Sequence, residues 1–151
     1  MNLYLIQHGE ATDEKSDPAR PLTQKGKEDI KKTAEFMKKA GLKIDELWHS
    51  TKLRARQTAE IVTQALKLKG SIEKGFLNPN DPVSSVADLI NLSDKNLTIV
   101  GHLPFLAKLA SVLVTGVDYK EVVEFKPGGV VCLQKLDAGW SVDTSKSFPA
   151  P

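Results

Sequence analysis

Two short apolar runs, Leu3-Tyr4-Leu5-Ile6 and Leu97-Thr98-Ile99-Val100, constrain the fold most, because neither alternates apolar with polar residues. A continuous run of that length suits a strand buried on both faces, as in a parallel sheet covered by helices. The first run ends at Gln7-His8-Gly9 and the second at Gly101-His102. Helical signals follow. From Thr23 to Ala40, Ile30, Ala34, Met37 and Ala40 recur at steps of four and three, with Thr23 as N-cap and Gly41 as a stop. Leu47-Trp48 reads as a second short strand ending at His49-Ser50. Ala55, Ala59, Val62 and Leu66 then mark one face of a helix that runs toward Gly70.

After the loop Asn78 to Pro82, a third helix carries Val83, Val86, Ala87 and Ile90, and Pro104 opens a fourth after the Leu97–Val100 strand. Beyond Gly116 the pattern turns to strands: Val122–Phe125, Gly129–Leu136 and Trp140–Val142, the last two joined by Asp137-Ala138-Gly139. The expected architecture is a three-layer α/β/α sandwich around a mostly parallel sheet, with antiparallel edge strands near the C-terminus. A chain of 151 residues suits one domain over 1–151, with the polar, proline-bearing stretch 145–151 as a loose tail.

Charge narrows the function classes. A net charge of +2 with 26% charged residues argues against a nucleic-acid-coating protein. The lysines between Lys25 and Lys39 interleave with Glu28, Asp29 and Glu35, as on a solvated helix face. The lone Cys132 sits in an apolar run and can neither close an internal disulfide nor build a multi-cysteine metal site. Met1-Asn2 leads directly into a strand, without the basic segment and roughly 7 to 15 apolar residues of a signal peptide. The apolar stretch Leu103–Val114 is too short for a bilayer and is broken by Lys108. A soluble, cytoplasmic protein without nucleic-acid or membrane partners is expected, and no signal specifies an oligomeric state.

Ligands of open α/β sheets bind beyond the carboxyl ends of the strands, which is where His8 and His102 fall. Each has a glycine neighbour, Gly9 or Gly101, that would let backbone approach a ligand closely. Arg54 begins the helix after the second strand, where a guanidinium and a positive helix end can act together on phosphate oxygens. Arg20 lies on the loop before another helix start, while Arg56, two residues from Arg54, points elsewhere. Two imidazoles and two guanidinium groups at loop–helix junctions describe an anion site, and a phosphoryl group is the commonest anion needing such charge.

Gln7-His8-Gly9-Glu10-Ala11, Arg20-Pro21-Leu22-Thr23, the segment Ser50 to Thr58 and Val100-Gly101-His102-Leu103-Pro104 together resemble the histidine phosphatase superfamily, in matching order over residues 1 to about 115. The short chain and the Arg-Pro-Leu-Thr segment are similar to its small protein phosphohistidine phosphatases. The resemblance implies that His8 is the nucleophile and forms a phosphohistidine intermediate. His102 and Arg54 would stabilise the transferring group, and Gln7, Gly9, Arg20 and Leu103 would line the substrate site. Because fixed cations supply the electrostatic stabilisation, it implies no cofactor and no metal.

Two departures from the family pattern bear on function. Gln7 stands where the family carries arginine, which removes a permanent charge from the pocket. Phe76-Leu77-Asn78-Pro79 offers no carboxylate where larger relatives carry a glutamate acid, although Asp81 is nearby and Glu10 follows the nucleophile. Glu10 is therefore a possible acid or base, or else a loop-satisfying residue that could meet Arg20. A missing acid favours phosphohistidine on a protein, whose imidazole leaves readily once protonated. No connection looks long enough to close over the site, which also suits a protein substrate. Small phosphoesters are the alternative substrates, and a weakly active or noncatalytic phosphoprotein-binding module is the alternative class.

Overall fold

The computed structural model describes residues 1–149. In chain order the elements are β1 (Asn2–Gln7), α1 (Gln24–Lys39), β2 (Glu46–His49), α2 (Leu53–Leu66) and β3 (Ile72–Glu73). They continue with α3 (Ser84–Asn91), β4 (Leu97–Gly101), α4 (Phe105–Thr115), β5 (Val130–Leu136) and β6 (Gly139–Phe148). The six strands form one sheet in the order β3-β2-β4-β1-β5-β6. β1, β2, β3 and β4 run parallel, and β5 pairs antiparallel with β1 and β6. This is the α/β/α sandwich with an antiparallel C-terminal edge that the apolar patterning implies.

Strand alternation divides the core into two layers. Leu3 and Leu5 of β1 pack with Phe105, Leu106 and Leu109 of α4 and with Val86 and Ile90 of α3. Tyr4 and Ile6 point the other way, to Ile30 and Met37 of α1 and Ala55, Ala59 and Val62 of α2. Thr23 caps α1 by accepting the Gly26 N–H at 3.0 Å.

The C-terminal third departs from the pattern in two places. Val122–Phe125 is not a strand. β5 pairs with β1 and β6 with β5, and Val122, Val123 and Phe125 pack against the α4-side core instead of joining the sheet. The connection from α4 to β5 is accordingly longer than expected. β6 also runs on to Phe148, so residues 145–148 are not a loose tail. The Ser147 hydroxyl accepts the Cys132 N–H at 3.0 Å and donates to the Asp143 carbonyl at 2.9 Å, tying the strand's end to β5. Residues 150 and 151 of the expected tail lie outside the described residues. α2 closes at Lys67, whose φ of 54° makes the left-handed turn expected nearer Gly70.

Candidate active site

β1 and β4 are parallel neighbours with Ile6 opposite Val100 and Gln7 opposite Gly101, so both strands end at the same height. The ladder continues one step further, where the His8 N–H donates to the Gly101 carbonyl at 3.0 Å. The chain leaves these two strands in opposite directions. β1 leads through α1 to β2 on one side of β4, and β4 leads through α4 to β5 on the other side of β1. Such a switch point opens a crevice at the carboxyl ends of the strands.

The imidazoles of His8 and His102 meet there, with ring centres 5.0 Å apart. His8 Nδ1 lies 2.7 Å from the Gly9 carbonyl, an acceptor only, so Nδ1 carries the proton and Nε2 keeps its lone pair. Burial, together with the charges of Arg54 and Arg20 and against the pull of the Gly9 hydrogen bond, holds the His8 pKa below the ordinary histidine value. His102 is almost fully buried, and its Nε2 is 2.6 Å from the Ser50 hydroxyl. Its burial first, and then His8, Arg54, Lys52 and Arg20, push its pKa down to about 3. Both rings are therefore neutral at physiological pH.

The arginines remain charged. Burial and the nearby Arg20 charge lower the Arg54 pKa from its high ordinary value, and its buried Nε has no protein partner. Arg20 donates from Nε to the Thr12 carbonyl at 3.1 Å. Among the described residues neither Arg20 nor Arg54 forms an ion pair with a carboxylate. Arg56 instead faces outward beside Glu60, 3.8 Å away. Two guanidinium groups without carboxylate partners, beside two neutral imidazoles, make a site suited to an anion.

The sequence model of the histidine phosphatase superfamily (branch 1) matches residues 3–78. Phosphohistidine phosphatase SixA of Escherichia coli (strain K12) is 32% identical over 122 residues, covering 77% of this chain and 76% of that one. The chain belongs to the histidine phosphatase superfamily. An uncharacterized protein of Picosynechococcus sp. is 34% identical over 142 residues, 89% of this chain and 85% of its own. The solved structure of the protein histidine phosphatase SixA complexed with tungstate superposes with a TM-score of 0.83 at 25% identity, covering 95% of this chain and 94% of that one. Membership makes the protein a phosphatase with a histidine nucleophile.

In this histidine phosphatase, α2 organises the site. Besides Arg54, its Gln57 Oε1 accepts the Leu22 N–H at 2.8 Å and so fastens the loop that carries Arg20. Thr58, fully buried, accepts the Gly9 N–H at 3.2 Å and donates to the Arg54 carbonyl at 2.8 Å. The His8 loop and the first turn of α2 are thus joined through one hydroxyl. From the other side Gly128, at φ 76°, donates to the Gln7 carbonyl at 2.9 Å, and its own carbonyl accepts the Thr33 hydroxyl.

Gly9 serves differently from the expectation that it admits a ligand. A Cβ there would come within 3.0 Å of the Gly26 carbonyl and 3.1 Å of Ile30, so the space a side chain would occupy belongs to α1. The Glu10 carboxylate accepts the Thr23 hydroxyl at 3.0 Å, at the cap of α1, and forms no ion pair with Arg20 among the described residues. Asp81 accepts the Asn78 N–H at 2.8 Å, which closes the 78–81 turn. Gln7 shares its sheet face with Leu3 and Leu5, and its buried side-chain oxygen has no protein partner. Leu103 is half exposed and, with Pro104, Ala107 and the 118–125 segment, lines a groove of about 330 Å³.

Ser50, Gly26 and Gly128 carry no signal of their own in the sequence: a serine at a strand end and glycines at a helix start or turn have many uses. Among the described residues, no three His, Cys, Asp or Glu side chains gather as a metal ion requires. No helix of the described residues is long and apolar enough to cross a membrane.

Proposed function

We propose that this protein removes the phosphoryl group from phosphohistidine on proteins, with His8 as nucleophile and no cofactor in the reaction. The observation that carries the reading is the His8 ring, held by Nδ1–H on the Gly9 carbonyl, with its lone pair on Nε2 beside His102 and under the charges of Arg54 and Arg20. Nε2 attacks phosphorus. The Nε2–P bond forms as the P–N bond of the substrate breaks, and the departing imidazole nitrogen takes its electron pair and a proton from solvent. Water then attacks the phosphoenzyme, forming a P–O bond, returning the pair to Nε2 and releasing inorganic phosphate. Arg54, Arg20 and His102 act on the oxygens of the transferring group, where charge-assisted donors supply most of the stabilisation.

The carboxylates support a phosphoramidate over an ester. An alkoxide leaving group needs a positioned acid, and both carboxylates the sequence offers are hydrogen-bonded elsewhere, Glu10 with Thr23 and Asp81 with Asn78. The family relationship to phosphohistidine phosphatase SixA of Escherichia coli agrees with this choice. A groove running from Leu103, the residue after His102, to the 118–125 segment gives a protein surface somewhere to rest. Gln7 favours one second reading, a phosphoprotein-binding module with little turnover, because an amide replaces a charged donor. A panel holding a phosphohistidine-bearing protein, a phosphoserine peptide and a small phosphoester decides among them. Release from phosphohistidine at least tenfold faster than from either ester supports the proposal, faster ester hydrolysis refutes it, and saturable binding without turnover selects the module.

A further inference from the structure

We propose that Ser50 is a positioning residue that sets the tautomer of His102, so that this ring meets the phosphoryl group as a neutral donor through Nδ1–H. The inference rests on the anion site proposed above and adds to it how His102 is prepared for the anion.

The hydroxyl of Ser50 is fully buried and has two neighbours. It accepts the Lys52 backbone N–H at 3.3 Å and lies 2.6 Å from His102 Nε2. A hydroxyl has one proton and two acceptor sites. With Lys52 on one acceptor site, the proton is available for Nε2, and an Nε2 that accepts leaves the ring's own proton on Nδ1. The opposite arrangement sends Nε2–H to Ser50. That strands the serine proton in a buried pocket and leaves Nδ1 as a bare lone pair, two unmet groups in place of one.

Nδ1 is the telling atom, since it is buried without any protein partner on a ring whose centre is 5.0 Å from that of His8. As a lone pair it would repel the oxygens of a phosphoryl dianion, and as N–H it would donate to one. Ser50 is well placed to impose the choice because its own backbone is fixed. Its N–H donates to the Val100 carbonyl at 3.3 Å, and its carbonyl accepts His49 Nδ1–H at 2.8 Å. β2 and β4 are paired through His49 and Val100, so Ser50 and His102 each lie one residue beyond the end of adjacent strands.

Long-range proton–nitrogen correlation spectra of the ¹⁵N-histidine-labelled protein read the tautomer directly, without any variant. At neutral pH His102 is expected with its proton on Nδ1, and a proton on Nε2 would overturn the assignment. Inorganic phosphate should then shift the Nδ1 resonance, and an unmoved resonance in phosphate-saturated protein would overturn the donor role. Ser50→Ala should release the tautomer and lower kcat about 10- to 100-fold, by analogy with the loss when an outer hydrogen bond to a metal-bound histidine is cut. KM should change far less, and Ser50→Thr should restore both the spectrum and kcat. A Ser50→Ala protein that keeps both the Nδ1–H signature and full kcat also overturns it. An Nδ1–H proton on His102 that phosphate perturbs, in a wild-type protein that hydrolyses nothing, would sink the phosphatase reading and support this one.

Discussion

Gly26→Ala sets local propensity against packing, and the two predict opposite signs. Gly26 lies in the first turn of α1, where alanine would ordinarily stabilise a helix by about 0.5–1 kcal/mol. In this structure a Cβ at position 26 would sit 2.2 Å from the Glu10 carbonyl oxygen and 3.0 Å from the Glu10 nitrogen, both backbone atoms that no rotamer change can move. Ordinary contact begins near 3.4 Å, so α1 and the His8 loop must part by about 1 Å. The Glu10 carbonyl also accepts the Thr23 N–H at 3.0 Å, and that bond would be stretched with it. Overpacking of this kind costs about 1–3 kcal/mol, which outweighs the propensity gain. A net loss of about 1 kcal/mol lowers Tm by roughly 2–4 °C in a chain of this size. Because Glu10 is two residues from His8, a shift of about 1 Å should also cut kcat/KM about 100-fold. Calorimetry and phosphate release from a phosphohistidine protein read the two effects. A Gly26→Ala protein with raised Tm and full activity would refute the packing argument.

Arg54→Lys keeps the charge but loses the fork and the buried Nε, so kcat should fall about 100- to 1,000-fold in a phosphate-release assay, and a loss under threefold would contradict its role on the phosphoryl oxygens. Gln7→Arg restores a charged donor and should tighten vanadate binding about five- to tenfold by titration; unchanged affinity would mean that position 7 does not face the anion. His102 titrates near 3 when folded and near 6.5 when unfolded, so between those values the unfolded chain binds the extra proton and stability falls as pH falls. Urea midpoints at pH 7 and pH 4.5 should therefore converge in His102→Gln relative to the wild type, and an equal loss in both proteins would contradict the buried neutral ring.

How far the site can be read from residues alone follows from what each contact depends on. β1 and β4 are legible because burial on both faces leaves a continuous apolar run, and the positions of His8 and His102 follow from the ends of those runs. Their meeting depends on β4 pairing with β1 across more than ninety positions, which no local pattern specifies and which the ordered motifs of the family supplied. Thr58 and Ser50 act through hydroxyl bonds to residues 49 and 52 positions away, so neither has a periodic signature. Val122–Phe125 reads as a strand because β-branched and aromatic residues suit one, but propensity does not record that Val122, Val123 and Phe125 pack against the α4-side core without joining the sheet. β3 escaped for the opposite reason, being two exposed residues without an apolar pattern.

The central claim is that His8 Nε2 bonds to phosphorus during turnover. Acid-free quenching of the enzyme with a phosphohistidine-bearing protein, followed by peptide mass spectrometry under alkaline conditions, reads it directly. The account predicts one acid-labile phosphoryl group on His8, absent from an inactive His8→Ala protein; a phosphoryl group on another residue, or full turnover by His8→Ala, would contradict it.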